Sequence, residues 1–202
     1  MHFRIAMLFV FMAFLNSAAY TQQPIKLIVR ADDMGYHNDI NYAIIKAHKE
    51  GIVTSASIMP ASLFFDEGVK LCKENPKLAA GVHVADIVRK ICLEQNVVYG
   101  QNVLGSQNGY TWVYNDFESW PLQRLPDGAI AYYDIVPMPD EKKQMFYDLL
   151  ENLKPGTLIL AVHPGLVGKE RSDVTLLMCS QKARDIIKRK NIQLISYSDI
   201  SK

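Results

Sequence analysis

Residues 25 to 29, Ile-Lys-Leu-Ile-Val, form an apolar, β-branched run that ends abruptly in Arg30-Ala31-Asp32-Asp33-Met34-Gly35-Tyr36. A short run of this composition reads as a buried strand. Such a strand must surface where two adjacent carboxylates are wanted, which places its C-terminal end at a polar, chemically active rim. Neighbouring residues on an extended backbone point to opposite sides. A turn that starts here can therefore aim one carboxylate at a metal and leave the other for a reacting water. Gly35 admits a backbone turn that a side chain would hinder.

The residues that follow alternate between helical and extended patterns. Asn38 to Lys49 carries Ile40, Ala43, Ile44 and Ala47 at helical spacing, and Glu50-Gly51 supplies a C-cap glycine. Ile52 to Met59 reads as a strand stopped by Pro60. Ser62 is a candidate cap for a helix from Leu63 to Glu74, which Asn75-Pro76 closes. Leu78 to Val84 is a third strand and contains His83. Strands alternating with helices of this length predict parallel βαβ units, as in half of an α/β barrel or a doubly wound sheet.

The middle of the chain is less regular. Asp86 to Gln95 is predicted as a helix, Asn96 to Tyr99 as a short strand, and Gln101 to Asp134 as a long loop rich in Gly, Asn, Tyr and Trp. A helix over Asp140 to Leu153, a Lys154-Pro155-Gly156 turn and a buried strand over Thr157 to Val162 then lead into His163-Pro164-Gly165. A last helix over Thr175 to Lys190 and a strand over Ile192 to Tyr197 complete the pattern. No internal repeat or low-complexity segment interrupts it.

Residues 1 to 19 read as a separate unit. Met1-His2-Phe3-Arg4 is positively charged, Ile5 to Leu15 is almost wholly apolar, and Ser17-Ala18-Ala19 offers small residues for cleavage. This is the pattern of a secretory signal peptide, and at roughly 11 residues the apolar run is too short to span a membrane. A secreted or periplasmic protein with no membrane association after cleavage is expected. Residues 20 to 202 suffice for one domain.

The formal net charge of +1 is mixed along the chain with no basic block, which argues against nucleic acid as a partner. Cys72, Cys92 and Cys179 lack the spacing of a disulfide framework or a zinc ribbon and read as small core residues, with a single disulfide and one spare thiol as the alternative.

Asp32, Asp33, His83 and His163 all fall at C-terminal strand ends, where parallel α/β folds gather their active groups. A carboxylate with neutral imidazoles suits a divalent ion, and a second carboxylate can take a proton from water. Each also has a structural reading. The two aspartates could shape a turn and cap a helix, His83 could be a buried structural histidine, and His163 could shape its Pro-Gly turn. His37 and His48 are assigned to the surface, and Glu170, Arg171 and Asp173 to a solvated loop near His163.

The blocks Ala31-Asp32-Asp33-Met34-Gly35, Gly51-Ile52-Val53-Thr54-Ser55, Gly81-Val82-His83-Val84 and His163-Pro164-Gly165 resemble those of the YdjC/ChbG-like carbohydrate deacetylases, also described as the ChbG/HpnK group. The resemblance implies an α/β fold with parallel strands, a distorted or incomplete (β/α) barrel of the polysaccharide-deacetylase-like type. It implies Asp33 and His83 as metal ligands, for Mg²⁺ in the first place and Zn²⁺ in the second. Asp32 is implied as general base and His163 as proton donor to the leaving amine. The reaction implied is metal-dependent removal of an N-acetyl group from an amino sugar or oligosaccharide.

The family also carries a His-x-x-x-His motif between its second and last histidine blocks, and no histidine lies between His83 and His163 here. An internal deletion accounts for that difference, and metal affinity is then expected to fall unless Asp86, Glu118 or Asp134 moves in as a replacement ligand. An alternative is a catalytically inactive relative that binds carbohydrate, in which Tyr110, Trp112, Tyr114, Trp120, Tyr132 and Tyr133 stack on sugar rings. A metal-dependent phosphoesterase is the third reading, and the lack of a Gly-rich phosphate loop counts against it. A sheet missing its middle exposes strand edges, which the aromatic loop or a homodimer would cover.

Overall fold

The computed structural model describes residues 23–60, 62–83, 111–113, 116–118 and 137–200. The leader at 1–19, the helix and strand expected between residues 86 and 99, and most of the aromatic stretch lie outside the described residues. The element order is β1 (Ile25–Met34), α1 (Asn38–Glu50), β2 (Ser55–Ile58), α2 (Phe65–Glu74), β3 (Ala79–Val82), β4 (Thr111–Trp112), a 3-10 turn (Asp116–Glu118), α3 (Asp140–Glu151), β5 (Gly156–Val162), α4 (Lys169–Met178), α5 (Gln181–Arg189), β6 (Gln193–Leu194) and α6 (Tyr197–Ile200).

Every described strand pairing is parallel, in the order β3-β2-β1-β5-β4. β5 runs along one edge of β1 from Ile25 to Ala31. β6 takes Lys26 and Leu27 on the other edge, and β2 takes the C-terminal half of that same edge from Arg30 to Met34. Leu27, Ile28, Val29, Leu158, Ile159 and Leu160 are all buried, so successive residues facing opposite ways are covered alike. Burial on both faces is what a parallel sheet requires, because its crossover helices pack on each side. The α/β class and the parallel strands inferred from the sequence hold.

The helices present apolar stripes to this sheet. Ile40, Ala43, Ile44 and Ala47 of α1 are buried, as are Phe146 and Leu150 of α3 and Ala183, Ile186 and Ile187 of α5. Gly35 has φ of 93°, the left-handed region expected at the end of β1, and a Cβ there would stand 3.2 Å from Phe65 Cα.

Several expectations are corrected. Gly51 is the C-cap of α1 as expected, though not in a left-handed conformation. Its φ is −125°, and glycine is needed because a Cβ would collide with the carbonyl oxygens of Met178 and Ala47. Ser62 does not cap α2, whose N-cap is Phe64 with no side-chain bond. The expected loop between residues 101 and 134 contributes β4, paired with Leu158 and Ile159 of β5.

The single helix predicted over Thr175 to Lys190 is two helices, because Ser180 is extended and its Oγ accepts from Ala183 N at 3.1 Å to start α5. The last strand stops at Leu194, where Ser196 N donates to Asp199 Oδ2 at 2.7 Å and turns the chain into α6. His48 is half-buried rather than surface, with its ring nitrogen 2.8 Å from Val53 O.

Cys72 and Cys179 are free and half-buried, consistent with packing roles, and burial pushes both thiols up. Cys92 lies outside the described residues. Among the described residues no helix is long and apolar enough to cross a membrane.

Candidate active site

The two aspartates at the end of β1 do not obey simple strand alternation. Between Ala31 and Met34 the register with β2 shifts, three steps on β1 matching two from Ala56 to Ile58. The extra residue is a β-bulge, and Asp33 within it has φ of 69°, a left-handed conformation that non-glycine residues seldom adopt. The bulge turns both carboxylates toward one side. His83 Nε2 stands 3.9 Å from Asp32 Oδ2 and 3.9 Å from Asp33 Oδ1. A backbone bond from His83 N to Ile58 O, 2.6 Å long, sets that histidine at the end of β3.

Asp32 is 4 % exposed and held from two directions. Ser57 Oγ of β2 donates to its Oδ1 at 2.6 Å, and Arg30 Nη2 donates to its Oδ2 at 2.6 Å. Both donors are legible once the topology is known. Arg30 shares a strand face with Asp32 by period two, and Ser57 sits on the neighbouring strand.

Asp33 accepts from Arg171 Nη2 at 2.8 Å through Oδ2. Glu170, Arg171 and Asp173 thus belong to α4 and not to a solvated loop, and Asp173 accepts from Met138 N at 2.7 Å. The turn after β1 is fixed by Asn41, fully buried, whose Oδ1 accepts from Gly35 N at 2.6 Å while its Nδ2 donates to Glu67 Oε2 at 2.8 Å.

His163 follows β5 on the same rim. Glu118 binds it twice, accepting from the backbone N at 2.9 Å and pairing with ring Nδ1 at 2.7 Å. Burial pushes the imidazole pKa down, yet the Glu118 hydrogen bond and charge outweigh it, helped by the charges of Asp32 and Asp33, and the net shift is upward. Glu118, considered from sequence as a replacement ligand beside Asp33, serves His163 instead. Asp86 and Asp134 lie outside the described residues.

The four residues singled out from the sequence therefore share one rim. Two donors on one ion at bonds of about 2.1 Å can stand up to about 4.2 Å apart, so Asp33 and His83 could share a divalent ion. Among the described residues no three His, Cys, Asp or Glu side chains gather to hold a metal, so Asp33 and His83 are the pair these residues offer.

Part of the chain is similar to known proteins. Residues 26–96 match the family model described as YdjC-like protein. A carbohydrate deacetylase of Brevibacillus brevis is 49 % identical over 59 residues, covering 29 % of this chain and 24 % of the relative. A carbohydrate deacetylase of Enterococcus faecalis is 29 % identical over 128 residues, 54 % of this chain and 49 % of the relative. A chitooligosaccharide deacetylase of Citrobacter koseri is 31 % identical over 99 residues, 49 % of this chain and 38 % of the relative.

The chain spans about half the length of these relatives, or less. A crystal structure from Enterococcus faecalis V583, provisionally described as a cellobiose-phosphate cleavage protein, superposes with a TM-score of 0.58 at 17 % identity. It covers 89 % of this chain and 100 % of that one, a likeness of fold.

Proposed function

This chain is YdjC-like over residues 26–96, and from that premise we propose that it hydrolyses the acetamide of an N-acetylated amino sugar or oligosaccharide. The observation that carries the reading is the meeting of Asp32, Asp33 and His83 across 3.9 Å at a strand-end rim that also holds the His163–Glu118 pair.

Asp32 accepts a proton from the water that attacks the acyl carbon. Ser57 and Arg30 fix both its oxygens, so the base meets the water in one orientation. His163, whose hold on its proton the Glu118 hydrogen bond and charge strengthen, gives a proton to the amide nitrogen as the carbon–nitrogen bond breaks. Acetate and a free amine leave, and exchange with solvent restores both protonation states. Asp33 and His83 are the residues that would hold Mg²⁺ or Zn²⁺, whose chemistry when bound is polarisation of the amide carbonyl. The signal-like residues 1 to 19 favour action outside the cytoplasm.

The test is acetate release from an N-acetylated chito-oligosaccharide, with the free amine counted alongside. Equal amounts are expected from the full chain, and Asp32→Asn should lower the rate by about 10²- to 10⁴-fold. Equal rates in both proteins would remove Asp32 from the chemistry. A second reading, a carbohydrate-binding relative without turnover, is favoured by the lack, among the described residues, of a third metal-ligating side chain beside Asp33 and His83. Saturable binding of the oligosaccharide without acetate release would establish it.

A further inference from the structure

Arg171 is built into this rim more firmly than a surface arginine would be. A Cβ at Gly165 would fall 2.7 Å from Arg171 Cβ and 3.2 Å from its Cδ, so the glycine of His163-Pro164-Gly165 clears the path of the arginine stem. Gly165 N lies 3.1 Å from Arg171 O and 3.0 Å from Thr175 Oγ1, and Thr175 Oγ1 donates to Gly165 O at 2.6 Å. The first turns of α4 are thereby fastened to the loop after β5, and the guanidinium is directed toward β1. There Nη2 meets Asp33. Among the described residues, Nη1 is buried and has no hydrogen-bond partner.

A buried donor left unpaired is costly, and a fixed guanidinium with one arm engaged is preorganised for an oxygen acceptor on the other. The two arms of the fork are coplanar and adjacent, so a group on Nη1 lies near the Asp33 carboxylate that Nη2 engages. A positively charged planar donor pairs best with a carboxylate or a polarised carbonyl.

We propose that Arg171 contacts the acyl group directly, its Nη1 donating to the acetyl oxygen of the substrate and then to the carboxylate of the product acetate. The identity of the acyl group rests on the deacetylase reading, whereas the anion-binding role of Nη1 does not depend on turnover.

Sodium acetate titrated into the full chain in EDTA-containing buffer, against sodium chloride at equal ionic strength, tests this by carbon-13 NMR of labelled acetate. Saturable binding that Arg171→Gln weakens at least tenfold is the expected result. Arg171→Lys keeps the charge beside Asp33 but lacks the second arm, and should lose affinity similarly. It also decides the matter if Arg171→Gln does not fold. No binding to the full chain, or unchanged affinity in a folded variant, overturns the proposal. The Asp32→Asn comparison on acetate release stands or falls separately, so failure of the arginine role is distinguishable from failure of the deacetylase reading.

Discussion

Asp33 occupies a backbone conformation that costs of order 1–3 kcal/mol for a residue with a side chain, and the bulge around it is what lets His83 reach both aspartates. The side chains themselves were readable in sequence, since an apolar strand ending in two acids leaves few alternatives. The bulge was not, because the alternation rule predicts opposite faces for Asp32 and Asp33.

Glu118 is the opposite case. It lies 45 positions before His163 in a segment without periodicity, so nothing local announced its pairing. Its effect is open to measurement. The His163 pKa is raised, so its proton is held past the pH at which an ordinary histidine near 6.5 loses it. The stabilisation of the fold from this pair is complete below the unfolded value and fades as pH rises through the folded one. Glu118→Gln removes the charge and should move the His163 titration to lower pH in a proton NMR titration. The alkaline limb of acetate release should move with it, and an unmoved titration would assign the raised pKa to other groups.

Elements meet at this rim through a few side chains. Asp39, in the first turn of α1, accepts through Oδ2 from Val167 N at 3.2 Å and Leu166 N at 3.3 Å, and its other oxygen pairs with the His37 ring. One carboxylate thus ties the helix after Asp33 to the loop after His163. Burial pushes the Asp39 pKa up, but these donors outweigh it and the carboxyl is held below the ordinary value near 3.8. A depressed carboxylate stabilises the fold above its unfolded pKa and loses that contribution as pH falls through the folded one.

Asp39→Asn should therefore be less stable than the natural chain at pH 6, by about 1 kcal/mol. The gap should narrow below about pH 3.8, as urea midpoints at the two pH values would show. A gap independent of pH would mean that the contact is one of shape alone. Helices with clear apolar stripes, α1 and α3, were legible in the sequence. The break between α4 and α5 was not, because Ser180 looks like any polar residue on a helix face until its cap bond is seen.

For the molecule as a whole, the regular βα units made the parallel sheet legible, while β4, two residues long, carried too little pattern to be seen. The sheet gathers Asp33 and His83 from strands separated by β2, and their capacity for metal can be read without turnover. A ligand that binds only the folded chain raises its melting temperature. Mg²⁺ or Zn²⁺ should raise the midpoint of the full chain, and Asp33→Ala and His83→Ala should each abolish the rise. An unshifted midpoint in the full chain would leave the pair as an electrostatic rather than a metal-binding feature.

The pairing of β1 with β5 has a consequence in time. Ile25 meets Gly156 about 130 positions later, and contacts that distant form slowly because a long loop must close first. During synthesis the strand bearing both aspartates emerges early but waits for β5, and for His163 behind it, before its second neighbour exists. The rim is therefore among the last parts of this chain to become functional, and a ribosome-bound fragment ending before β5 would hold Asp32 and Asp33 without the architecture that gives them a task.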